Sequence, residues 1–361
     1  MSEKIIRYGL VGMKRGADVA VEGRFDKRGK LAVACDRDPK AMAYGKKLFE
    51  EKGILDCLYV TEYDELLAMD IDAVIIATDA VCHVPFVIKA LEAGKHVLCE
   101  IPSINTLEEA HQLKAAVEAH PDLIYMAAEN CCFWAFVETW KRMREEGQFG
   151  DVIYAEGEYL HSIDPAKFAP DNYSEGHWRT YNPAIKYLTH EMGPLLYILD
   201  DRCVSVTCME PNFVYNPYFP EKNSTGVAMF KTAKGTVIHI LISFGSYTMP
   251  DHNYRLCGTR GSIETDRLKK YSEAHSYANL QSVPGTFSQK IDIPVTTRFA
   301  GEKEGSHGGG DKKMMHEFLD CVATGKKPFL DVNFAIRMSL PGIMAHESAT
   351  KGGMPIEIPE I

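Results

Sequence analysis

The chain has 361 residues, of which 45% are hydrophobic and 25% are charged, and its formal net charge is −10. This length suits two globular domains, and the composition is typical of a soluble globular protein. Because the basic residues are scattered rather than clustered, the sequence argues against nucleic acid or an anionic membrane surface as a partner.

The amino terminus and the cysteines both predict a soluble cytoplasmic protein. The opening residues, MSEKIIRYGLVG, lack the apolar core and cleavage site of a signal peptide, and no stretch resembles a membrane span. The cysteines show neither paired spacing nor a Cys/His pattern typical of zinc, so no metal is expected. Those in apolar runs are expected to be reduced core residues: Cys35, Cys99, Cys208, Cys257 and the pair Cys131–Cys132.

In the first third of the chain, short apolar runs alternate with helical patterns. Strands are predicted at Lys4–Val11, Leu31–Cys35, Ala73–Thr78, His96–Cys99 and Tyr125–Ala128. Helices are predicted after a turn that contains Gly12 and Gly16, from Pro39, from Pro85 to Gly94, and from the capping box of Thr106 and Glu109 to about His120. Strands that alternate with helices predict a parallel, doubly wound sheet, so residues 1–126 are expected to form a Rossmann domain of the α/β class.

After about residue 126, strands follow one another. The predicted elements are a helix at Phe133–Glu146, strands at Val152–Tyr159, Thr225–Lys231, Thr236–Phe244, Tyr254–Cys257 and Ser262–Thr265, and helices at about Gly310–Ala323 and Val332–Ala349. Alternating apolar residues indicate an open, mostly antiparallel sheet with one covered face. Residues 127–361 are therefore expected to form an α+β substrate domain whose C-terminal helix packs back on the first domain, with Tyr271–Ala300 as loop.

A glycine turn follows the first strand and reads GLVGMKRG from Gly9 to Gly16. A Rossmann site needs such a turn so that the pyrophosphate can approach backbone N–H groups. The turn departs from GxGxxG because Lys14 stands where the second glycine belongs, and alone it is a weak signal. Asp36, at the end of the second strand, strengthens it, because an acid about twenty residues onward binds the ribose hydroxyls.

The charges beside this turn bear on the choice of cofactor. A carboxylate at Asp36 would repel a ribose 2′-phosphate and so favours NAD, whereas Arg37, with Lys14 and Arg15 nearby, keeps NADP as the alternative. The alternative interpretations of Asp36 are a solvated loop acid and a cap for the helix at Pro39, and Asp38 suits the cap better. The predicted cofactor-binding residues here are Gly12, Met13, Lys14, Arg15, Asp36 and Arg37.

Residues 73–102 read AVIIATDAVCHVPFVIKALEAGKHVLCEIP. This stretch resembles the Gfo/Idh/MocA family of sugar oxidoreductases, which carries an apolar strand ending in Ala-Thr-Pro, a His at the next helix start, Gly-Lys-His-Val and Glu-Lys-Pro. The later GTRGSIE hairpin extends the resemblance over most of the chain. The family implies Thr78 and His83 near the nicotinamide-side phosphates, and Glu100 and Pro102, usually a cis proline, at the border of cofactor and substrate.

The sequence departs from the family pattern at its catalytic positions. The usual lysine falls at Ile101, and isoleucine neither carries a proton nor donates a hydrogen bond. The usual Asp and His, four apart on one helix face, fall at His190 and Pro194. The acid–base residues of the family's ordinary dehydrogenases are therefore replaced.

Several further motifs, in order, are similar to the NAD-dependent glycosidase branch of this family. They are Glu100-Ile-Pro102, Glu129-Asn130-Cys-Cys, Tyr159-Leu-His161, Trp178-Arg179-Thr180, Tyr187-Leu-Thr-His190-Glu-Met-Gly-Pro194 and His307-Gly-Gly-Gly-Asp311. That branch implies oxidation of the sugar at C3 by bound NAD⁺, loss of the C2 hydrogen, elimination at C1, addition of water and reduction of C3. Such a cycle needs groups that exchange protons near neutral pH rather than two flanking carboxylates.

The resemblance assigns the catalytic roles to four residues. His190 is the candidate base for the C3 hydroxyl or a hydrogen-bond partner to it, and Tyr187, on the same face of the helical turn, would relay protons or bind the hydroxyl. Tyr159 and His161 have strand spacing, which projects both to one sheet face, and are candidates for C2 deprotonation and leaving-group assistance. Packing of tyrosines on the sheet is the plainer interpretation of Tyr159 and Tyr187.

The remaining motif residues are candidates for substrate binding: Glu129, Asn130, Trp178, Arg179, His307 and Asp311. Arg179 would bind substrate oxygens or form a structural ion pair, and Trp178 would stack on the sugar or line the pocket. His307 and Asp311 lie in a glycine-rich loop that could close over the site. The spacing of His161, His177 and His190 gives no support to a metal site.

Three functions remain open from the sequence. The favoured one is redox-neutral cleavage of a glycoside; the alternative is a sugar or glycoside dehydrogenase with net NAD(H) turnover. A non-catalytic sugar or NAD sensor is the third, against which the retained His and Tyr set argues. Because an open sheet commonly needs a cover, a homodimer or homotetramer through the C-terminal sheet is also expected.

Overall fold

The computed structural model describes residues 5–161, 181–211, 224–246, 248, 251–267, 276–285, 287, 289–294 and 306–361. The chain divides into two compact units. The Rossmann unit comprises Met1–Asn130, Glu304–Ile336 and Ile361, and the sheet unit comprises Cys131–Lys303 and Arg337–Glu360. In the described parts of the chain, no helix has the length and apolar character needed to cross a bilayer.

The Rossmann unit contains a six-stranded sheet in the order β3-β2-β1-β4-β5-β6, and every pair of neighbours is parallel. The strands are β1 Ile6–Val11, β2 Gly29–Cys35, β3 Leu58–Val60, β4 Ala73–Ile76, β5 His96–Cys99 and β6 Tyr125–Ala127. The helices are α1 Arg15–Ala20, α2 Pro39–Glu51, α3 Tyr63–Leu67, α4 His83–Glu92 and α5 Leu107–Ala119, with 3₁₀ turns at Val21–Phe25 and Ala80–Cys82. The predicted doubly wound fold is confirmed.

The predicted helix caps of this unit are present. Asp38 accepts a hydrogen bond from the Lys40 N–H, and Thr106 accepts one from the Glu109 N–H. The predicted start of α4 at Pro85 is wrong, because the helix begins at His83. A proline is tolerated in the first turn, where the N–H it lacks would have no helical partner.

The sheet unit contains a nine-stranded sheet in the order β14-β13-β12-β11-β7-β10-β9-β8-β15. Its strands are β7 Val152–Leu160, β8 Cys203–Met209, β9 Thr225–Thr232, β10 Val237–Ser243, β11 Asp251–Gly258, β12 Gly261–Thr265, β13 Ser276–Leu280, β14 Ile291–Ile293 and β15 Ile356–Glu357. Only β7 and β10, among these described strands, pair in parallel. The predicted mostly antiparallel sheet and its hairpin at residues 258–261 are confirmed.

Helices α6 Ala135–Glu145 and α7 Thr189–Leu199 belong to the sheet unit, with 3₁₀ turns at Asn130–Phe133 and Ala184–Tyr187. Helix α7 packs on β7 and on α6. Further along the chain, the turn Ser306–Gly309 precedes α8 Gly310–Thr324, and α9 spans Val332–Thr350. The covered face predicted from β10 is present, because Ile238, Ile240 and Ile242 are fully buried.

The prediction of loop for residues 271–300 is wrong where the structure describes it, because β13 and β14 lie there. The inward side chains of β13 are Ser276, Ala278 and Leu280, so a search for apolar alternation finds little. Ser276 is fully buried and accepts a hydrogen bond from the indole N–H of Trp140 at 3.0 Å. Because this hydrogen bond satisfies its hydroxyl, a serine can occupy an inward position that is usually hydrophobic, and the expected alternation is lost.

Candidate functional site

The glycine turn after β1 holds its shape through one glycine. Gly12 has a φ of +93°, and a Cβ there would lie 2.3 Å from the carbonyl oxygen of Ala77. The N–H of Gly12 donates to the Cys35 carbonyl at 2.9 Å. A glycine is therefore required at position 12 both by the left-handed backbone and by the close approach to the end of β4. Lys14, at the place of the second glycine, is exposed.

Asp36 is fixed at the end of β2 by two backbone donors. Its Oδ2 accepts the Met13 N–H at 2.7 Å, and its Oδ1 accepts the Asp38 N–H at 2.9 Å. Each carboxylate oxygen has a second lone-pair site, so two further donors, such as ribose hydroxyls, can still be accepted. These two features fit a dinucleotide: the turn at Gly12 leaves no room for a Cβ, and the carboxylate of Asp36 is anchored.

The basic residues beside the turn have carboxylate partners. Arg37 donates to Glu62 at 2.6 Å, and Lys14 lies 3.8 Å from Asp38. Arg15 makes two hydrogen bonds of 2.7 Å to Asp311, and its Nε lies 3.0 Å from Glu100.

Asp311, at the start of α8, is the centre of a buried polar network. Besides Arg15, the amide of Asn130 donates to it, and Nδ1 of His307 lies 2.9 Å from its Oδ2. Burial alone would raise the pKa of Asp311, but the charge of Arg15 and the hydrogen bonds from Arg15 and His307 hold it well below its usual range. Four residues predicted separately, for cofactor or substrate, thus form one network.

His83 lies between two backbone carbonyls. Its Nδ1 is 2.9 Å from the Pro102 oxygen and its Nε2 is 3.1 Å from the Thr78 oxygen. Burial lowers the pKa of His83, so the neutral ring donates to one of these carbonyls. The peptide bond Ile101–Pro102 is cis, as the resemblance implied. Contact of these residues and Glu100 with a cofactor stays a prediction.

The four predicted catalytic residues come together in the sheet unit. The ring of Tyr159, on β7, lies 5.5 Å from that of His161, 6.3 Å from Tyr187 and 5.4 Å from His190, measured between centroids. Tyr187 and His190 are themselves 5.4 Å apart. We call this group, with the adjoining Phe244, the Tyr159 cluster.

Two elements bring the cluster together. Tyr159 and His161 share a face of the strand end by their spacing of two. Tyr187 closes the turn Ala184–Tyr187 and His190 lies in the first turn of α7, which also contains Pro194 four residues on. His190 and Pro194 therefore lie four residues apart on one helix, and their correspondence to the family's Asp and His positions stays a prediction.

His190 is held from two sides. Its Nδ1 lies 3.3 Å from the Cys131 sulfur, and its backbone carbonyl accepts the Tyr254 hydroxyl at 2.8 Å. Tyr159 and Tyr187 are almost fully buried, whereas His161 is exposed. The cluster thus joins a desolvated interior to a histidine in contact with solvent.

Sequence reasoning missed two polar residues at this cluster. His252, on β11, stacks on Tyr159 with centroids 4.3 Å apart and planes at 15°. Its Nδ1 lies 2.6 Å from Oε1 of Glu191, a fully buried carboxylate next to His190. The available signal was the charge of Glu191 in an otherwise apolar helix, but its partner depends on the pairing of His252 with Tyr159 across the sheet.

The other predicted substrate residues are placed as follows. Glu129 and Asn130 are buried at the end of the strand β6. Trp178 and Arg179 lie outside the described residues, as does His177. Cys35, Cys99, Cys131, Cys132 and Cys208 are buried as expected, and Cys257 is half-buried.

Comparison with models of protein families identifies the family to which the chain belongs. The model for the oxidoreductase family with an NAD-binding Rossmann fold matches residues 6–128, and the model for the GFO/IDH/MocA C-terminal domain matches residues 137–264. Together they span more than half of the sequence, so the chain belongs to the Gfo/Idh/MocA family and is an enzyme of that family. Residues 223–361 match the model for the glycosyl hydrolase 109 C-terminal domain.

The curated relatives point the same way. Glycosyl hydrolase family 109 protein 1 of Bacteroides thetaiotaomicron is 27% identical, with 98% of this chain and 84% of that protein covered. The alpha-N-acetylgalactosaminidase of Tannerella forsythia is 25% identical, with 99% and 86% covered. Among solved structures, levoglucosan dehydrogenase in complex with NADH has a TM-score of 0.85 at 19% identity, covering 99% of this chain and 100% of that one, which shows the shared fold.

Proposed function

We propose that this enzyme cleaves a glycoside in a redox-neutral cycle. The observation that carries the proposal is the Tyr159 cluster, in which residues of β7 and of the segment 184–190 meet with ring centroids 5.4 to 6.3 Å apart. Bound NAD⁺ supplies the oxidant for C3 of the sugar and, once reduced, the reductant that restores it. The residues of the chain bind the sugar and move its protons.

His190 removes the proton of the C3 hydroxyl, and Tyr187 relays it. An imidazole exchanges protons near neutral pH, and the centroids of the two rings lie 5.4 Å apart, so that both side chains can reach the same sugar hydroxyl. Desolvation at the buried tyrosines strengthens the hydrogen bonds made to the sugar. His190 also lies beside the Cys131 sulfur, which restricts the orientation of its ring.

Tyr159 and His161 act at C2 and at the leaving group. The C3 ketone acidifies the C2 hydrogen, so that a side-chain base can remove it before the bond at C1 breaks. Tyr159 is buried in the middle of the cluster, whereas His161 is exposed and can exchange its proton with solvent. This arrangement suits a base next to the sugar and a group that returns protons from water.

NAD rather than NADP is the proposed cofactor. Asp36 is anchored where the ribose hydroxyls bind, and its charge would repel a 2′-phosphate. Arg37, Lys14 and Arg15, the cations that could accept that phosphate, each lie beside carboxylates. Gly12, Met13, Thr78, His83, Glu100 and Pro102 complete the proposed cofactor residues.

The proposed substrate is a glycoside of an N-acetylated hexosamine, because a relative is named alpha-N-acetylgalactosaminidase. Glu129, Asn130, Trp178 and Arg179 are proposed to bind it. Asp311 is proposed to act through His307, which it holds at 2.9 Å, since its oxygens already accept from Arg15 and Asn130.

A homodimer or homotetramer through the outer sheet face is also proposed. Apolar side chains on β8 and β9 are exposed there, with Met209 at 66%, Val227 at 40% and Met229 at 42%. A second copy of the sheet would cover them.

A cofactor balance tests the proposed function. Purified enzyme is incubated with 4-nitrophenyl α-N-acetylgalactosaminide and a panel of other aryl glycosides, without added cofactor, while aglycone release and NADH absorbance are followed. We expect many turnovers of aglycone per enzyme and no lasting NADH. Stoichiometric formation of NADH that requires added NAD⁺ would instead identify a sugar dehydrogenase. NAD binding with neither aglycone release nor NADH formation would identify a sensor.

A further inference from the structure

We propose that His252, paired with Glu191, is the general acid for the leaving group in place of His161, an inference that rests on the glycoside cleavage proposed above. Tyr159 and His161 then act on the C2 proton. The pair joins β11 to α7 inside the sheet unit, with Nδ1 of His252 2.6 Å from Oε1 of Glu191. His252 stacks on Tyr159, and its centroid lies 5.8 Å from that of His190. A second titratable group thus adjoins the Tyr159 cluster.

The environment of Glu191 is built for a carboxylate. Glu191 is fully buried, yet it points to the sheet face that carries Tyr159. Gly157, two residues before Tyr159 on β7, makes the room for it, because a Cβ at Gly157 would lie 2.7 Å from the Cβ of Glu191. A buried carboxylate is costly without donors, and the ring of His252 supplies one to Oε1 of Glu191.

The carboxylate gives His252 the properties of an acid. Glu191 fixes the proton on Nδ1 and stabilises the imidazolium that forms when Nε2 is protonated. The groups that face His252 are Glu191 and His190 from α7, Tyr159 from β7 and the indole of Trp134, while Asp251 accepts the backbone N–H of His252. The carboxylate of Glu191 lies within hydrogen-bond distance of the ring.

The proton balance of the step closes. After the C2 proton has gone to its base, the imidazolium of His252 gives its Nε2 proton to the glycosidic oxygen as the bond from C1 to that oxygen breaks. The aglycone leaves as a neutral alcohol, and His252 is left neutral. When water adds at C1, His252 takes its proton and returns to the imidazolium.

Two leaving groups of different acidity test the proposal. Wild-type enzyme and His252→Asn are compared on 4-nitrophenyl and methyl α-N-acetylgalactosaminide, because nitrophenolate departs without a proton and methoxide does not. We expect His252→Asn to lose about 100-fold or more in kcat/KM on the methyl glycoside, with a much smaller loss on the nitrophenyl glycoside. The NADH transient that reports C3 oxidation should persist in the variant.

Glu191→Gln is the second variant, because it keeps the shape and removes the charge. A carboxylate beside an imidazolium raises the pKa of the imidazolium, and the acid works only while it is protonated. The alkaline limb of the methyl glycoside profile should therefore move to lower pH in the variant. His239→Asn is the matched control, since His239 lies 3.9 Å from Glu156 on the same sheet but away from the cluster.

The outcomes separate this proposal from the proposed function. If the wild type cleaves glycosides but His252→Asn loses equally on both substrates, or loses nothing, the leaving-group role is wrong and the proposed function stands. An unmoved alkaline limb in Glu191→Gln contradicts the role of the carboxylate. If the wild type cleaves no glycoside of the panel, the proposed function fails, and the role of His252 fails with it.

Discussion

Asp311 shows what one buried carboxylate does for its surroundings. It is fully buried and holds Arg15, Asn130 and His307 together. Its ionised form persists because Arg15 and His307 outweigh the cost of burial and keep its pKa well below the usual range. The network fixes the glycine turn to the start of α8 within the Rossmann unit.

Replacing Asp311 by Asn tests this network. Removing one partner of a buried pair costs about 3 kcal/mol or more, so the free energy of urea unfolding should fall by that amount at pH 7. Because the folded pKa of Asp311 is lowered, its contribution is complete above the unfolded value of about 3.9 and is lost below it. The wild type and the variant should therefore converge as the pH falls below about 4.

Asp320→Asn on the same helix is the control for that measurement. Asp320 pairs with Arg28 but is 34% exposed, so its loss should cost about 1 kcal/mol or less. Equal losses for the two variants, or an Asp311→Asn loss that does not depend on acid, would contradict the account of Asp311.

His190→Ala tests the proposed base. We expect kcat to fall about 100-fold or more, with the rate of C3 oxidation, seen as the NADH transient, falling by the same factor. NAD affinity, measured by calorimetry, should not change, since the glycine turn lies in the other unit. Turnover at the wild-type rate in this variant would remove His190 from the mechanism.

Asp36→Ser tests the choice of cofactor. Removing the carboxylate should weaken NAD binding, because the ribose hydroxyls lose their acceptor, and should narrow the ratio of the NADP and NAD dissociation constants by about tenfold or more. Direct titration with both cofactors gives the ratio. A wild-type preference for NADP would contradict the proposal outright.

At the scale of the element, the glycine turn makes a sharper prediction. Gly12→Ala places a Cβ 2.3 Å from the Ala77 oxygen, so β1 and β4 must separate at the turn, and NAD affinity should fall at least about tenfold. Gly94→Ala is the matched control, because Gly94 also has a positive φ but nothing lies within 4 Å of its Cβ position. A similar effect of both changes on NAD affinity would show that backbone strain alone, and not the collision, matters.

Elements with strong local signals could be predicted from the sequence. The apolar run at β4, the alternation in β10 and the caps of α2 and α5 are local, and each lies where the patterns placed it. The strand β13 was not predicted because its inward residues include Ser276, whose burial depends on a hydrogen bond from Trp140, which is distant in the sequence. Local patterns do not record such partners.

In the candidate site, too, residues within local motifs could be predicted, whereas pairs of residues that are distant in the sequence could not. Tyr159, His161, Tyr187 and His190 carry motifs, and the structure brings them together. The pair of His252 and Glu191 has no motif, because it exists only through the register of β11 against β7. Likewise, Arg15 and Asp311 are 296 positions apart in the sequence, and the sequence alone could not show that they form an ion pair.

For the whole molecule, we propose that an oxidoreductase scaffold cleaves a glycoside instead of carrying out net oxidation. The Rossmann unit keeps its glycine turn and anchored Asp36, while the usual lysine position holds Ile101, which is buried. The sheet unit carries the histidines and tyrosines that are proposed to move protons. On this account, NAD returns to its starting state in every cycle.

Deuterium at C2 of the released sugar tests that claim most directly. The enzyme is allowed to cleave 4-nitrophenyl α-N-acetylgalactosaminide, or whichever aryl glycoside of the panel it accepts, in D₂O, and the sugar is analysed by mass spectrometry and proton NMR. The account predicts one deuterium bound to carbon, at C2, because that hydrogen leaves before C1 is cleaved and returns from solvent. Aglycone release with the original C2 hydrogen retained would contradict it.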